Sequence, residues 1–255
     1  MKIGSPDGAG FSPIFDAISR VREKYPADQK RLDSISRRIA YLCFLREEIG
    51  YMNKKYDYEE IPIIFEFYVN KVEIFTTQLV DLLMILADYW FHRPGSTIVP
   101  GPKPERFEDL FDCFTPLEQG GYQFFNSINI MLELSAAISA RHQYVHDIGP
   151  DISLSNDGGY IEFEMPVEHR YGKFEQYMRN DLYLLLTKKP PSGGTAVIID
   201  PRFPEFEFEL RRAKAGSFDS KGSSVWYKGK ASQYVKMLDS VLWMICRATF
   251  RAILE

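Results

Sequence analysis

Apolar residues recur at three- and four-residue steps in four long stretches of this chain, and each stretch reads as an amphipathic helix. The strongest carries Tyr68, Val72, Phe75, Leu79, Leu82, Leu86 and Trp90 as one stripe. From about Gln29 to Lys55, the residues Ile35, Ile39, Leu42, Ile49 and Met52 form a broad face, leaving Arg37, Arg38, Arg46, Glu47 and Lys54 for solvent. A third helix runs from about Tyr122 to Asp147, with Phe124, Ile128, Met131, Ile138 and Val145 inward, and Gly149-Pro150 stops it. Tyr234, Leu238, Val241, Ile245, Ala248 and Ala252 mark a fourth over roughly Ala231 to Leu254. A shorter helix opens at Ser12-Pro13, an N-cap followed by a first-turn proline, with Phe15, Ile18 and Val21 inward. Four long helices of this kind suffice for a bundle.

The period changes between the third and fourth long helices. Ile152-Ser153-Leu154 and Tyr160-Ile161-Glu162-Phe163 flank Asn156-Asp157-Gly158-Gly159, the pattern of a β-hairpin with a glycine-permitted turn. Phe206, Phe208 and Leu210 alternate with Glu205, Glu207 and Glu209, which predicts a half-buried strand with an acidic outer face. Residues 173–188 are ambiguous, with Phe174, Tyr177 and Met178 favouring a helix. Pro94, Pro100, Pro102, Pro104 and Pro116 make the stretch from His92 to Gly121 mostly loop, with room for one short helix over Glu105 to Phe114. The expected architecture is α+β, mostly α, in a single domain over 1–255. Residues 29–149 and 230–255 form an antiparallel helical bundle, and 150–229 form a small β-containing insertion.

Composition narrows the function classes. With 35 Asp+Glu against 31 Lys+Arg the formal net charge is -4, so the chain as a whole does not advertise a nucleic-acid binder, and any RNA contact requires a local basic surface. The three cysteines, Cys43, Cys113 and Cys246, are far apart and set among apolar neighbours, the pattern of reduced buried thiols in a cytoplasmic protein. Met1-Lys2-Ile3-Gly4-Ser5 opens without an apolar core, so no secretory signal is expected. The apolar run from Leu79 to Phe91 contains Asp81 and Asp88 and follows Glu66, Lys71 and Glu73, which argues against a membrane span.

Chemistry concentrates at the end of the third long helix, in Arg141-His142-Gln143-Tyr144-Val145-His146, which holds two of the chain's four histidines. An arginine, a polar residue, three further positions and a histidine resemble the signature of the HEPN superfamily, helical bundles whose active members cut RNA without a metal. The resemblance covers this motif and the helical framework around it, about Asp33 to Asp147 plus the last helix. It implies a dimeric endoribonuclease of the kind found in toxin–antitoxin and phage-defence systems, with RNA as substrate and an antitoxin or other protein as possible partner. His146 would be the acid/base group, because its ordinary pKa lies near operating pH. Arg141 would clamp the phosphate with its fork of permanent donors, and His142 would orient one of them or the substrate. Neither cofactor nor metal is implied. On a straight helix Arg141 and His146 point about 140° apart, so a shared phosphate requires a break in the helix or a second chain. Around Ile138 and Val145, Arg141 falls on one shoulder and the two histidines on the other, which favours a composite site in a homodimer.

Other readings stand beside this one. Arginine and histidine at a helix C-terminus also complement the helix dipole and cap its carbonyls with no catalysis, and a non-catalytic interaction or nucleotide-binding module would use the same framework. His142 and His146 are four apart, a spacing two zinc ligands can adopt, although the glutamate of a His-Glu-x-x-His motif is missing and His92 and His169 supply no third-ligand pattern. Ser96 and Ser192 sit in ordinary turn sequences, and Gly193-Gly194 lacks the Lys-Ser/Thr of a P-loop. The basic groups Lys188-Lys189 and Arg211, Arg212 and Lys214 read as solvated surface among acidic neighbours. Tyr56, Tyr58, Phe65, Phe67 and Tyr68 are clustered, as in a core or an oligomer interface.

Overall fold

The computed structural model describes residues 10–55, 61–93, 128–146, 149–155, 158–166, 195–199, 202–211 and 224–254. Among these residues five α-helices, α1 (Ser12–Lys24), α2 (Gln29–Lys55), α3 (Pro62–Phe91), α4 (Ile128–His146) and α5 (Ala231–Leu254), stand beside one antiparallel sheet. Its strands are β1 (Asp151–Ser155), β2 (Gly158–Pro166), β3 (Thr195–Ile199), β4 (Phe206–Arg211) and β5 (Ser224–Lys230). The architecture is therefore α+β and mostly α. No helix among the described residues is long and apolar enough to cross a membrane. The expected short helix over Glu105 to Phe114, the ambiguous stretch 173–188, and the residues Cys113, Tyr56, Tyr58, Ser96, His169 and Ser192 lie outside the described residues.

Helix α2 has the expected bounds and buries Ile35, Ile39, Leu42, Ile49 and Met52. Helix α3 buries its whole expected stripe from Tyr68 to Trp90 together with Val80, Leu83, Ala87 and Tyr89, so its apolar face is wider than one stripe. Helix α1 departs from expectation at its start. Phe11 rather than Ser12 is the N-cap residue, no side chain caps the turn, and Ile14 takes the core position beside Ile18 and Val21 while Phe15 is half-buried. The backbone of Ile14 and Phe15 donates to the Phe11 carbonyl instead, and the buried Phe11 ring holds the entry of the chain.

Arg31 on α2 pairs with Asp88 on α3, and Lys71 on α3 pairs with Glu48 on α2, so these helices run antiparallel. Helix α5 is the hub. The Lys24 ammonium reaches the carbonyls of Ile253 and Leu254, and the Trp243 indole donates to the Gly10 carbonyl, which makes α1 and α5 parallel. Helix α3 also runs parallel to α5, since Thr76 meets Tyr234 and Tyr89 meets Phe250.

Helix α4 is buried at every position from Glu133 to Ala140, a pattern of burial all round rather than on one stripe. This corrects the expectation for Val145, which is 48% exposed. Ile138 is buried as expected, but the burial ends with the turn that contains Arg141.

The sheet has the order β1-β2-β5-β4-β3. The expected hairpin is present, though tighter than its four turn-forming residues suggest, because Ser155 already pairs with Gly158. The acid-faced strand is β4, with Phe206 and Phe208 buried. The strands β3 and β5 were not anticipated, and β5 is the centre of the sheet, running directly into α5 at Lys230-Ala231. On its inner face Phe163 stacks on Tyr227, Phe208 meets Tyr227 edge-on from the other neighbouring strand, and Phe163 and Phe206 both reach Tyr234 on α5. Sheet and helices thus share one continuous core. On the outer face Lys228 lies between Glu162 and Glu207 in cross-strand register and bonds Glu207 and Glu209, while Arg211 bonds Glu209 and lies over the Trp226 ring.

Candidate functional site

Helix α4 is continuous from Ile128 to His146, so no break rotates one end of the motif toward the other. Arg141 and His146 therefore keep the ~140° separation of a straight helix. Arg141 faces α3, where its Nη2 atom lies 3.2 Å from Oδ1 of Asp81. The guanidinium is half-buried in this contact, and the aspartate fixes its direction. His146 is exposed, and its ring lies 4.8 Å from that of the half-buried His142, one turn earlier. The structure thus brings the two histidines together and turns the arginine to the neighbouring helix.

The rest of the last turn anchors the helix end. The Gln143 amide donates to the Glu164 carbonyl on β2 at 2.9 Å. Tyr144 turns inward, toward Tyr68, Glu73 and Tyr234, and its ring lies where a Cβ on Gly149 would fall. Burial, and then the neighbouring Tyr234, Glu73 and Tyr68, push its phenol well above the ordinary tyrosine range. Tyr144 is consequently a packing residue, and Gly149 is required by that close approach. The outcome is a helix end tied to α3 by Arg141 and to β2 by Gln143, presenting His142 and His146 outward.

Such an arrangement offers two imidazoles to a solvent-borne substrate and a fixed cation on the adjacent face. Each imidazole can accept or donate a proton. Among the described residues, no group of three or more His, Cys, Asp or Glu side chains is placed to hold a metal ion, and the His142–His146 pair alone supplies two ligands. His92 is at the C-terminal end of α3, beside Asp88, its Nδ1 atom 3.3 Å from the carboxylate. Cys43 and Cys246 are buried free thiols, and burial pushes Cys43 up to about 12 and Cys246 well above its ordinary value, the opposite of what a thiolate nucleophile needs. Of the basic groups, Arg211 is bonded to Glu209, and Arg212, Lys214, Lys188 and Lys189 lie outside the described residues.

Sequence reasoning missed two charged side chains that the fold takes largely out of solvent. Arg46, expected in solvent, has only 11% of its side chain exposed and lies 2.5 Å from the buried Asp239 carboxylate on α5. Glu133 on α4 is fully buried and bonds Arg202 at 2.6 Å. A carboxylate among apolar residues was the available signal in both cases, since burying one demands a cation. No protein-family model matches the chain, and no curated protein or solved structure is significantly similar to it.

Proposed function

We propose that this chain is a metal-independent endoribonuclease of HEPN-like kind, acting as a homodimer in a toxin–antitoxin or phage-defence setting. The observation that carries the reading is the outward-facing His142–His146 pair at the end of a helix whose preceding arginine is oriented by an aspartate. In this reaction His146 removes the proton from a ribose 2′-hydroxyl as its oxygen attacks the adjacent phosphorus. The bond to the 5′-oxygen breaks, and that oxygen takes a proton from solvent. Arg141 of the second copy offsets the charge on the phosphate oxygens, and His142 orients the substrate. The composite arrangement follows from the unbroken helix, which keeps Arg141 and His146 of one chain on different faces.

A second reading has its own observation. Asp81 engages Arg141 in a contact that joins α3 to α4, which suits a structural tie in a non-catalytic interaction or nucleotide-binding module. One experiment separates the two. Wild type, His146→Ala and Arg141→Ala are incubated with a mixed pool of structured and single-stranded RNAs, with and without EDTA. The ribonuclease reading expects wild-type cleavage that EDTA leaves intact, products ending in 2′,3′-cyclic phosphate, and loss of cleavage in both variants with their folds retained. An inert wild type, or cleavage persisting in His146→Ala, overturns the ribonuclease reading for these residues, and an inert wild type is the outcome that the module reading expects.

A further inference from the structure

His142 and His146 lie one helical turn apart on α4, with their ring centres 4.8 Å from one another and the ring planes inclined by 49°. That separation has a chemical meaning. With metal–nitrogen bonds of about 2.0–2.1 Å, one ion shared at a square or tetrahedral angle holds two imidazole centres about 4.5–5.2 Å apart. The two rings are thus already at the spacing that a shared ion requires. We infer that His142 and His146 form a site for one exchangeable zinc ion, and that its occupancy switches off the proton chemistry of the pair. The site is independent of the ribonuclease reading, and the switch rests on it.

The surroundings of the pair favour a cation. His146 ends α4 and His142 is one turn before it, so the ion sits by the terminal carbonyls, at the negative end of the helix dipole. Arg141, the cation of the motif, is turned to α3 and held there by Asp81 at 3.2 Å. This contact and the Gln143 bond to the Glu164 carbonyl fix the helix end, so once one imidazole has bound the ion the other is an intramolecular ligand. An imidazole has two nitrogens: one can bond a protein neighbour that orients the ring while the other takes the metal. The donors also select the ion. Nitrogen ligands suit zinc, nickel(II) and copper(II), whereas magnesium and calcium call for oxygen. Among the described residues no set of three or more His, Cys, Asp or Glu side chains is placed to hold an ion, so water completes the coordination and the metal can exchange. Bound zinc takes the lone pair with which His146 would accept the 2′-hydroxyl proton, and cleavage stops until the ion leaves.

Isothermal titration of the full chain, stripped of metal with EDTA and dialysed, against zinc, nickel(II) and magnesium chlorides tests the site. Zinc should bind at one ion per chain with a dissociation constant below about 0.1 mM, nickel(II) should bind in the same range, and magnesium should not. His142→Ala and His146→Ala should each lose at least about tenfold in zinc affinity, and His92→Ala should bind like wild type. His142 is half-buried, so a measurement on the wild type stands beside its variant: one equivalent of copper(II) should give an electron paramagnetic resonance spectrum with two nitrogen ligands. In the RNA-cleavage assay, zinc at about ten times its dissociation constant should lower wild-type cleavage about tenfold, and EDTA should restore it. No zinc binding at about 1 mM, or undiminished binding in His146→Ala, overturns the site. Cleavage that saturating zinc leaves unchanged overturns the switch. A wild type that binds zinc but cleaves no RNA removes the switch together with the ribonuclease reading and upholds the site.

Discussion

At the scale of single residues, Arg46 and Asp239 form an ion pair in the bundle's interior, and neither can be removed alone without stranding its partner out of water. Arg46→Met should cost about 3–5 kcal/mol of stability. The double variant Arg46→Met/Asp239→Leu should recover most of that loss, because apolar residues of similar volume replace a pair whose desolvation is costly. Urea unfolding of the two single variants and the double variant checks both statements. The same pair sets a pH dependence. Burial pushes the Asp239 carboxyl up from its ordinary 3.8 to about 6, with Arg46 opposing. The folded protein then holds that proton more tightly than the unfolded chain does. The contribution is complete below the ordinary value and is lost as pH rises from 3.8 toward about 6. Glu209 acts in the other direction: hydrogen bonds from Arg211 and Lys228 hold it at about 2, so its contribution disappears only as pH falls from 4.5 toward that value. Unfolding free energies at intervals across the Asp239 window should therefore show a wild-type decline that Asp239→Asn lacks. A decline of the same size in Asp239→Asn would refute the assignment to this carboxyl.

At the scale of elements, β5 is the strand on which the rest of the sheet depends, and Gly229 is its critical position. Its φ of +151° lies in the region that favours glycine, and a Cβ there would run into the Glu205 carbonyl and the Phe206 backbone. Gly229→Ala should destabilise the protein by about 2–4 kcal/mol. It should also raise hydrogen exchange at Lys230, whose amide donates to Glu205 beside it. A neutral melting temperature would show that the β4–β5 junction tolerates the displacement. This strand also marks where legibility failed. Val225-Trp226-Tyr227 has the β-branched and aromatic character of a strand, but it runs into α5 through Lys228-Gly229-Lys230, with a single glycine rather than a turn sequence to separate the two periods. The long helices were legible because their apolar stripes repeat over many turns, as α2 and α3 show. Helix α4 was legible as a helix and misread in its orientation. Burial on all sides from Glu133 to Ala140 leaves no polar face to define a stripe, so Val145 could be placed inward when it faces solvent. At the candidate site, spacing alone gave the separation of Arg141 from His146 and the closeness of His142 to His146. The Asp81 partner required knowing which helix packs against α4.

At the scale of the whole molecule, the geometry of α4 makes oligomeric state part of the proposed chemistry. One chain places Arg141 against α3 and His146 in solvent, so catalysis of the proposed kind requires a second copy. Light scattering at micromolar concentration should find a species of twice the 29.6 kDa chain mass. Mixing variants gives the sharper test. In a heterodimer of Arg141→Ala with His146→Ala, one of the two composite sites receives both mutations and the other receives neither. Denaturing and refolding an equimolar mixture makes about half of the dimers heterodimers, each with one intact site, so about a quarter of wild-type cleavage should return. Each variant refolded alone should remain inactive. If both residues instead serve one chain's site, every site in the mixture carries one mutation and no activity returns. Recovery near a quarter would thus establish that Arg141 and His146 act across the interface, and a mixture as inactive as its parents would refute the composite site.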